Sequence, residues 1–177
     1  MNYQAEFEKF GDDYHANYET SFPIAVFGTL RQIPSDQGNL NRMLTREPVG
    51  HRKAFIPHML PSGIWVEFEE GASGIFEVFF YDKKDFAAVI KSVDALEGFS
   101  PDHHYGYHRT LLNARLLPDD HSNKLFKRGI RNFDNRSLNI PKDEWEDFET
   151  VPAWAYSNIA TNNSLAEMDN SPLLWWH

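Results

Sequence analysis

Cysteine is absent from the 177 residues, and with it go disulfide frameworks, thiolate nucleophiles and Cys-rich zinc sites. Any chemistry here must use oxygen or imidazole groups. Long apolar runs are missing too, since no stretch approaches the roughly 20 apolar residues that a membrane-spanning helix needs. The opening "MNYQAEFEKFGDDYHANYETSFP" is acidic and polar and carries no apolar core of the secretory kind. A cytoplasmic protein with no membrane partner is the expectation, and the sequons at Asn135 and Asn162 then carry no information. Basic charge is also short: 17 Lys and Arg against 26 Asp and Glu give a net charge of -9, which disfavours a nucleic-acid partner because phosphate neutralisation needs clustered cations. The nearest basic patch, "KLFKRGIRNFDNR" (124–136), interleaves bases and aromatics but reads as a solvated, charged insertion.

What is present points to one globular unit. Hydrophobic residues at 41% and aromatic residues at 15% are enough for a core without staples. Residues 1–20 read as an N-terminal arm or a short helix, with Phe7, Phe10, Tyr14 and Tyr18 at helical spacing. Residues 21–158 form the expected domain, with an insertion at about 118–150 that is polar, turn-rich and ends in a short acidic helical piece. The tail 159–177 finishes in "LLWW", which is costly to leave in water, so Leu173 to Trp176 are expected to dock on the body or on a second subunit. A monomer or a homodimer fits this pattern.

Within the domain, "FPIAVF" (22–27) is a continuous apolar run suited to a strand buried on both faces. Ser35 or Asp36 is a plausible cap for a short helix bearing Leu40, Met43 and Leu44. From His51 to Gly74 the pattern is strand-like but interrupted by Pro57, Pro61 and Gly63, which predicts edge strands and a loop over one end of the sheet. "GIFEVFFY" (74–81) reads as a strand covered on both faces, with Glu77 sharing one face with Ile75, Phe79 and Tyr81. Asp82 caps a predicted helix with Phe86, Val89, Ile90 and Val93 on its apolar face, and Gly98 marks its stop. "YHRTLLNARLL" (107–117) and "VPAWAYSN" (151–158) complete the strands, the latter with Trp154 and Tyr156 on one face.

One residue breaks this pattern. A further turn along the helix stripe falls on Glu97, a carboxylate where a core residue is due. Burial disfavours its charge, and so does the partial negative charge of a helix C-terminus, so Glu97 should titrate above the usual carboxylate range. That is useful for general acid/base work near neutral pH. On pattern alone, the other reading is that Glu97 frays into water at the helix end or pairs with Arg109 or Arg115. Asp94 reads as a solvated helix residue.

The succession "VFGTLR" (26–31), "VDALEGF" (93–99), "YHR" (107–109) and "AWAY" (153–156) resembles the gamma-glutamylcyclotransferase-like family, in the branch of the avirulence-induced plant proteins. The resemblance covers about residues 22–158. It implies an α+β fold, a small mixed β-sheet closed into a barrel-like shape with flanking helices. It also implies Glu97 as the catalytic acid/base, and a substrate site made of Phe27, Gly28, Thr29, Leu30 and Arg31 together with Tyr107 and Arg109. The family's turn supplies backbone N–H groups to the substrate; its tyrosine is Phe27 here, so one hydroxyl is missing.

The implied reaction is cyclisation of a small-molecule gamma-glutamyl compound to 5-oxoproline with release of an amine. The substrate's own α-amine attacks its γ-carbonyl, positioning supplies much of the rate, and no metal or cofactor is required. The histidines of "DHHYGYH" (His103, His104 and His108) match no helical zinc spacing, and they read as loop residues or as a lid near Glu97. The competing function is non-catalytic: a small-ligand sensor, or an interaction protein on the same fold.

Overall fold

The apolar run ahead of Gly28 forms β1 (Ile24–Val26), three residues that are all buried. In the computed structural model, β1 lies between β3 (Trp65–Phe80), antiparallel to it, and β7 (Glu149–Ser157), parallel to it. β2 (Gly50–Ser62) follows β3, and β6 (His108–Leu116) closes the circle to β7 in a five-stranded mixed barrel of order β1-β3-β2-β6-β7. The structure describes residues 22–27, 46–62, 65–100, 103–104, 108–118 and 137–157. The helices expected over 1–20 and after Ser35, the basic stretch 124–136 and the aromatic tail lie outside these residues.

Side-chain alternation divides the barrel cleanly. The cluster to which all five strands contribute is its inside, where Ala25, Ala54, Ala114, Ala153 and Ala155 leave room for Ile56, Met59 and Phe76. Small residues on neighbouring strands let so few strands close without overpacking. The opposite face of β1 and β7 carries Ile24, Val26, Trp154 and Tyr156, and these meet α1 (Lys83–Glu97). The helix buries the predicted stripe of Phe86, Val89, Ile90 and Val93. Each of these side chains contributes about 1.5–3 kcal/mol by leaving water. Gly98 ends α1 in the left-handed conformation at φ 68, where a side chain would be strained, and its N–H caps the Asp94 carbonyl.

The segment from His51 to Gly74 differs from its expectation. β2 runs unbroken through Pro57 and Pro61, and β3 begins at Trp65, well before Gly74. The prolines are tolerated because β6 pairs with β2 only at Ala54 and Phe55, so that among the described residues no strand pairs with the later part of β2 on its side away from β3. The register shifts between Pro57 and Met59, where His58 takes φ 62. Gly71 N–H donates to His58 Nδ1 at 3.0 Å, and the imidazole packs edge-on against Trp145.

Trp145 belongs to a 3-10 helix (Lys142–Asp147), the acidic helical piece at the end of the expected insertion. It closes a third apolar cluster with Phe55 and Leu117. Ser73 fastens the incoming chain: its N–H donates to Ser137 Oγ at 3.1 Å, and its Oγ accepts the Ile140 N–H at 3.1 Å. The last part of the expected insertion is therefore packed on the barrel. No helix among the described residues is long and apolar enough to cross a membrane.

Candidate functional site

α1 runs along β1 and β7 and delivers its last turn to the end of the barrel at which both strands finish. Ile24 pairs with Trp154 and Ala25 with Ala155, so Val26 lies beside Tyr156 and Phe27 follows it on this same rim. Arg109, near the start of β6, pairs with Tyr156 from the other side. One rim therefore gathers Phe27, Arg109, Tyr156 and the C-terminus of α1.

Asp94 corrects the expectation that it is solvated. Its residue is 5% exposed, and its carboxylate receives Arg109 Nη1 at 3.2 and 2.9 Å and the Tyr156 hydroxyl at 2.6 Å. The physical reason is register, because position 94 lies one full turn beyond Ile90 and so falls on the buried face with Val93. A carboxylate there is tolerable only when it is paired and hydrogen-bonded, and Arg109 and Tyr156 do both. The Arg109 guanidinium also packs on two rings, with its Cζ 4.8 Å from the centroids of Phe99 and Trp154. Burial, followed by the Asp94 charge, drives the Tyr156 hydroxyl well above the usual phenol range, so it stays a proton donor.

Glu97 is the last residue of α1 and is half-buried. Burial pushes its carboxyl from 4.5 up to about 7, in the direction the sequence pattern predicts. Neither arginine offered as its partner is directed to it. Arg109 is bound to Asp94, and Arg115 reaches Glu146 Oε1 at 2.8 Å and Thr150 Oγ1 at 2.7 Å. A carboxyl half-protonated near neutrality and set at a barrel rim is able both to accept and to return a proton.

The other expected residues fare unequally. Phe27 is half-buried and meets Phe76 edge-on at 6.0 Å, its ring packed on the cluster inside the barrel. Gly28, Thr29, Leu30, Arg31 and Tyr107 lie outside the described residues. His103 and His104 form the short strand β5 (His103–His104), paired with β4 (Phe99–Ser100), rather than a plain loop. Among the described residues, no group of three His, Asp or Glu side chains converges to hold a metal ion. Asp94, Tyr156 and Phe99 were not read as site residues from the sequence. Asp94 lies at helical spacing from Ile90, but its pairing with Arg109 and, across 62 residues, with Tyr156 left no local trace. Comparisons with family models, curated proteins and solved structures found no match for this chain.

Proposed function

We propose that the protein is an enzyme of the gamma-glutamylcyclotransferase type, which converts a gamma-glutamyl amide into 5-oxoproline and a free amine in the cytoplasm. The observation that carries this reading is the placement of Glu97, the half-buried last residue of α1, at the rim where β1 ends, where burial raises its carboxyl toward about 7. The order of "VFGTLR", "VDALEGF", "YHR" and "AWAY" supports it. So does the closed mixed barrel, which is compatible with the small barrel that the resemblance implies.

In the proposed reaction the substrate's α-nitrogen forms a bond to its own γ-carbonyl carbon, and the bond from that carbon to the departing nitrogen breaks. Glu97 takes the proton from the attacking nitrogen and gives it to the leaving one. Atoms balance without water, oxidant or metal. Backbone N–H groups of Gly28 to Leu30 are assigned to the oxyanion or to the substrate's carboxylate. Holding amine and carbonyl in near-attack geometry supplies much of the rate.

Phe27 favours a second reading, a small-ligand binder on the same fold, because it lacks the hydroxyl that the family's tyrosine offers. Thermal-shift screening against gamma-glutamyl amides and 5-oxoproline, followed by product assay, separates the two. Release of 5-oxoproline supports the enzyme, and stabilisation without product supports the binder. Neither effect across the panel contradicts both. If only Phe27→Tyr releases product, the native substrate lies outside the standard gamma-glutamyl set.

A further inference from the structure

Glu97 is flanked by two residues that a single guanidinium holds. Three positions before it, the Asp94 carboxylate receives Arg109 Nη1 at 3.2 and 2.9 Å; two positions after it, the Phe99 ring lies 4.8 Å from Arg109 Cζ. Trp154 contributes a second ring at 4.8 Å, and the Tyr156 hydroxyl donates to Asp94 Oδ1 at 2.6 Å. The chain from Asp94 through Phe99 is thereby tied to β6 and β7.

A helix end needs such ties. Its last carbonyls have no partners within the helix, and α1 has no basic residue in its last turn to answer them. The Gly98 N–H satisfies one carbonyl, that of Asp94. Arg109 adds tertiary contacts on both sides of this turn, to Asp94 before it and to Phe99 after it. At 5% exposure, with Nη1 given to Asp94 and two rings against its plane, Arg109 is placed to support a wall rather than to meet a ligand. A planar, stacked guanidinium does this better than an ammonium.

We propose that Asp94, Arg109 and Tyr156 are positioning residues for Glu97, with Arg109 acting through Asp94 and Phe99 to fix the last turn of α1 against the barrel rim rather than touching substrate. This rests on the reading of Glu97 as the reacting group, but its test needs no substrate. Among the described residues, the charged or titratable groups of this network are Asp94 on α1, Arg109 on β6 and Tyr156 on β7.

The test is a carbon-detected NMR titration of the Glu97 carboxyl in the full chain, assigned by the signal lost in Glu97→Gln, with the wild-type midpoint expected at about 7. Arg109→Ala separates two forecasts of opposite sign. Were Arg109 only a nearby positive charge, its removal would raise the midpoint, since Glu97 loses a favourable neighbour and the Asp94 charge three residues away loses its ion-pair partner. As a positioning residue, its removal loosens the turn and admits water, so the midpoint falls by about one unit or more toward the ordinary glutamate value. Tyr156→Phe, which keeps the packing and removes one hydrogen bond, gives a smaller fall, and Arg109→Lys lies between Arg109→Ala and wild type. A midpoint that rises or stays in Arg109→Ala overturns the proposal. If Arg109→Ala does not fold, Tyr156→Phe decides by the same criterion. A falling midpoint in a protein that cyclises nothing would keep the network and reject the enzyme.

Discussion

Arg109 Nη1 and Asp94 Oδ2 meet at 2.9 Å across 15 residues of sequence, with both side chains almost wholly removed from water. Such a pair is costly to break from one side, because the surviving charge stays buried alone. Arg109→Ala or Asp94→Ala should each lower unfolding free energy by about 3–5 kcal/mol in urea titrations. The double variant Asp94→Leu with Arg109→Met should lose clearly less than the two single losses added together, since neither charge is then stranded. Strict additivity would mean that the two side chains do not sense one another.

Gly74 sits in β3 against the bulged part of β2. A Cβ at this position would collide with the Met59 carbonyl oxygen, the Leu60 Cα and the Pro61 Cδ, two of them backbone atoms that cannot swing away. Gly74→Ala should therefore destabilise by about 2–3 kcal/mol or more, the range of forced overpacking. Gly50→Ala is the control, because nothing lies within 4 Å of the Cβ it would add. Equal melting temperatures for the two variants would contradict the bulge geometry.

Glu97 also makes stability depend on pH with a definite sign. Its folded value of about 7 stands above the unfolded 4.5, so the stability it contributes is fully present below 4.5 and is lost as pH rises through about 7. The full shift corresponds to about 3 kcal/mol, which solvent screening at a half-exposed position reduces to about 1–2 kcal/mol. Glu97→Gln has no proton to lose. The difference in unfolding free energy between Glu97→Gln and wild type should grow by that amount between pH 5 and pH 8, and a difference that is flat across this range would contradict the burial of Glu97.

The parts of the fold that were legible in the sequence are those governed by local period. Phe86, Val89, Ile90 and Val93 announce α1 by spacing alone, Gly98 announces its end, and the unbroken run before Gly28 announces a strand covered on both sides. Glu97 was legible for the same reason, as a carboxylate on an apolar stripe. What was hidden depends on distant partners. Pro57 and Pro61 look like breaks because local propensity cannot show that β6 pairs with β2 only at Ala54 and Phe55, and nothing local shows that a bulge brings Met59 onto Gly74. Asp94 looks solvated because its side chain is polar, and only the fold brings Arg109 and Tyr156 to it.

The most direct test of the central claim is turnover of a gamma-glutamyl amide to 5-oxoproline by wild type and by Glu97→Gln, with ligand affinity followed in parallel by calorimetry. Glutamine keeps the shape and hydrogen-bonding reach of Glu97 but cannot carry the proton. The account predicts affinity unchanged within a few-fold and turnover reduced by about two to four orders of magnitude, the usual range for a general acid/base group. Full turnover by Glu97→Gln on a substrate that wild type cyclises would show that another group moves the proton, and would contradict the mechanism.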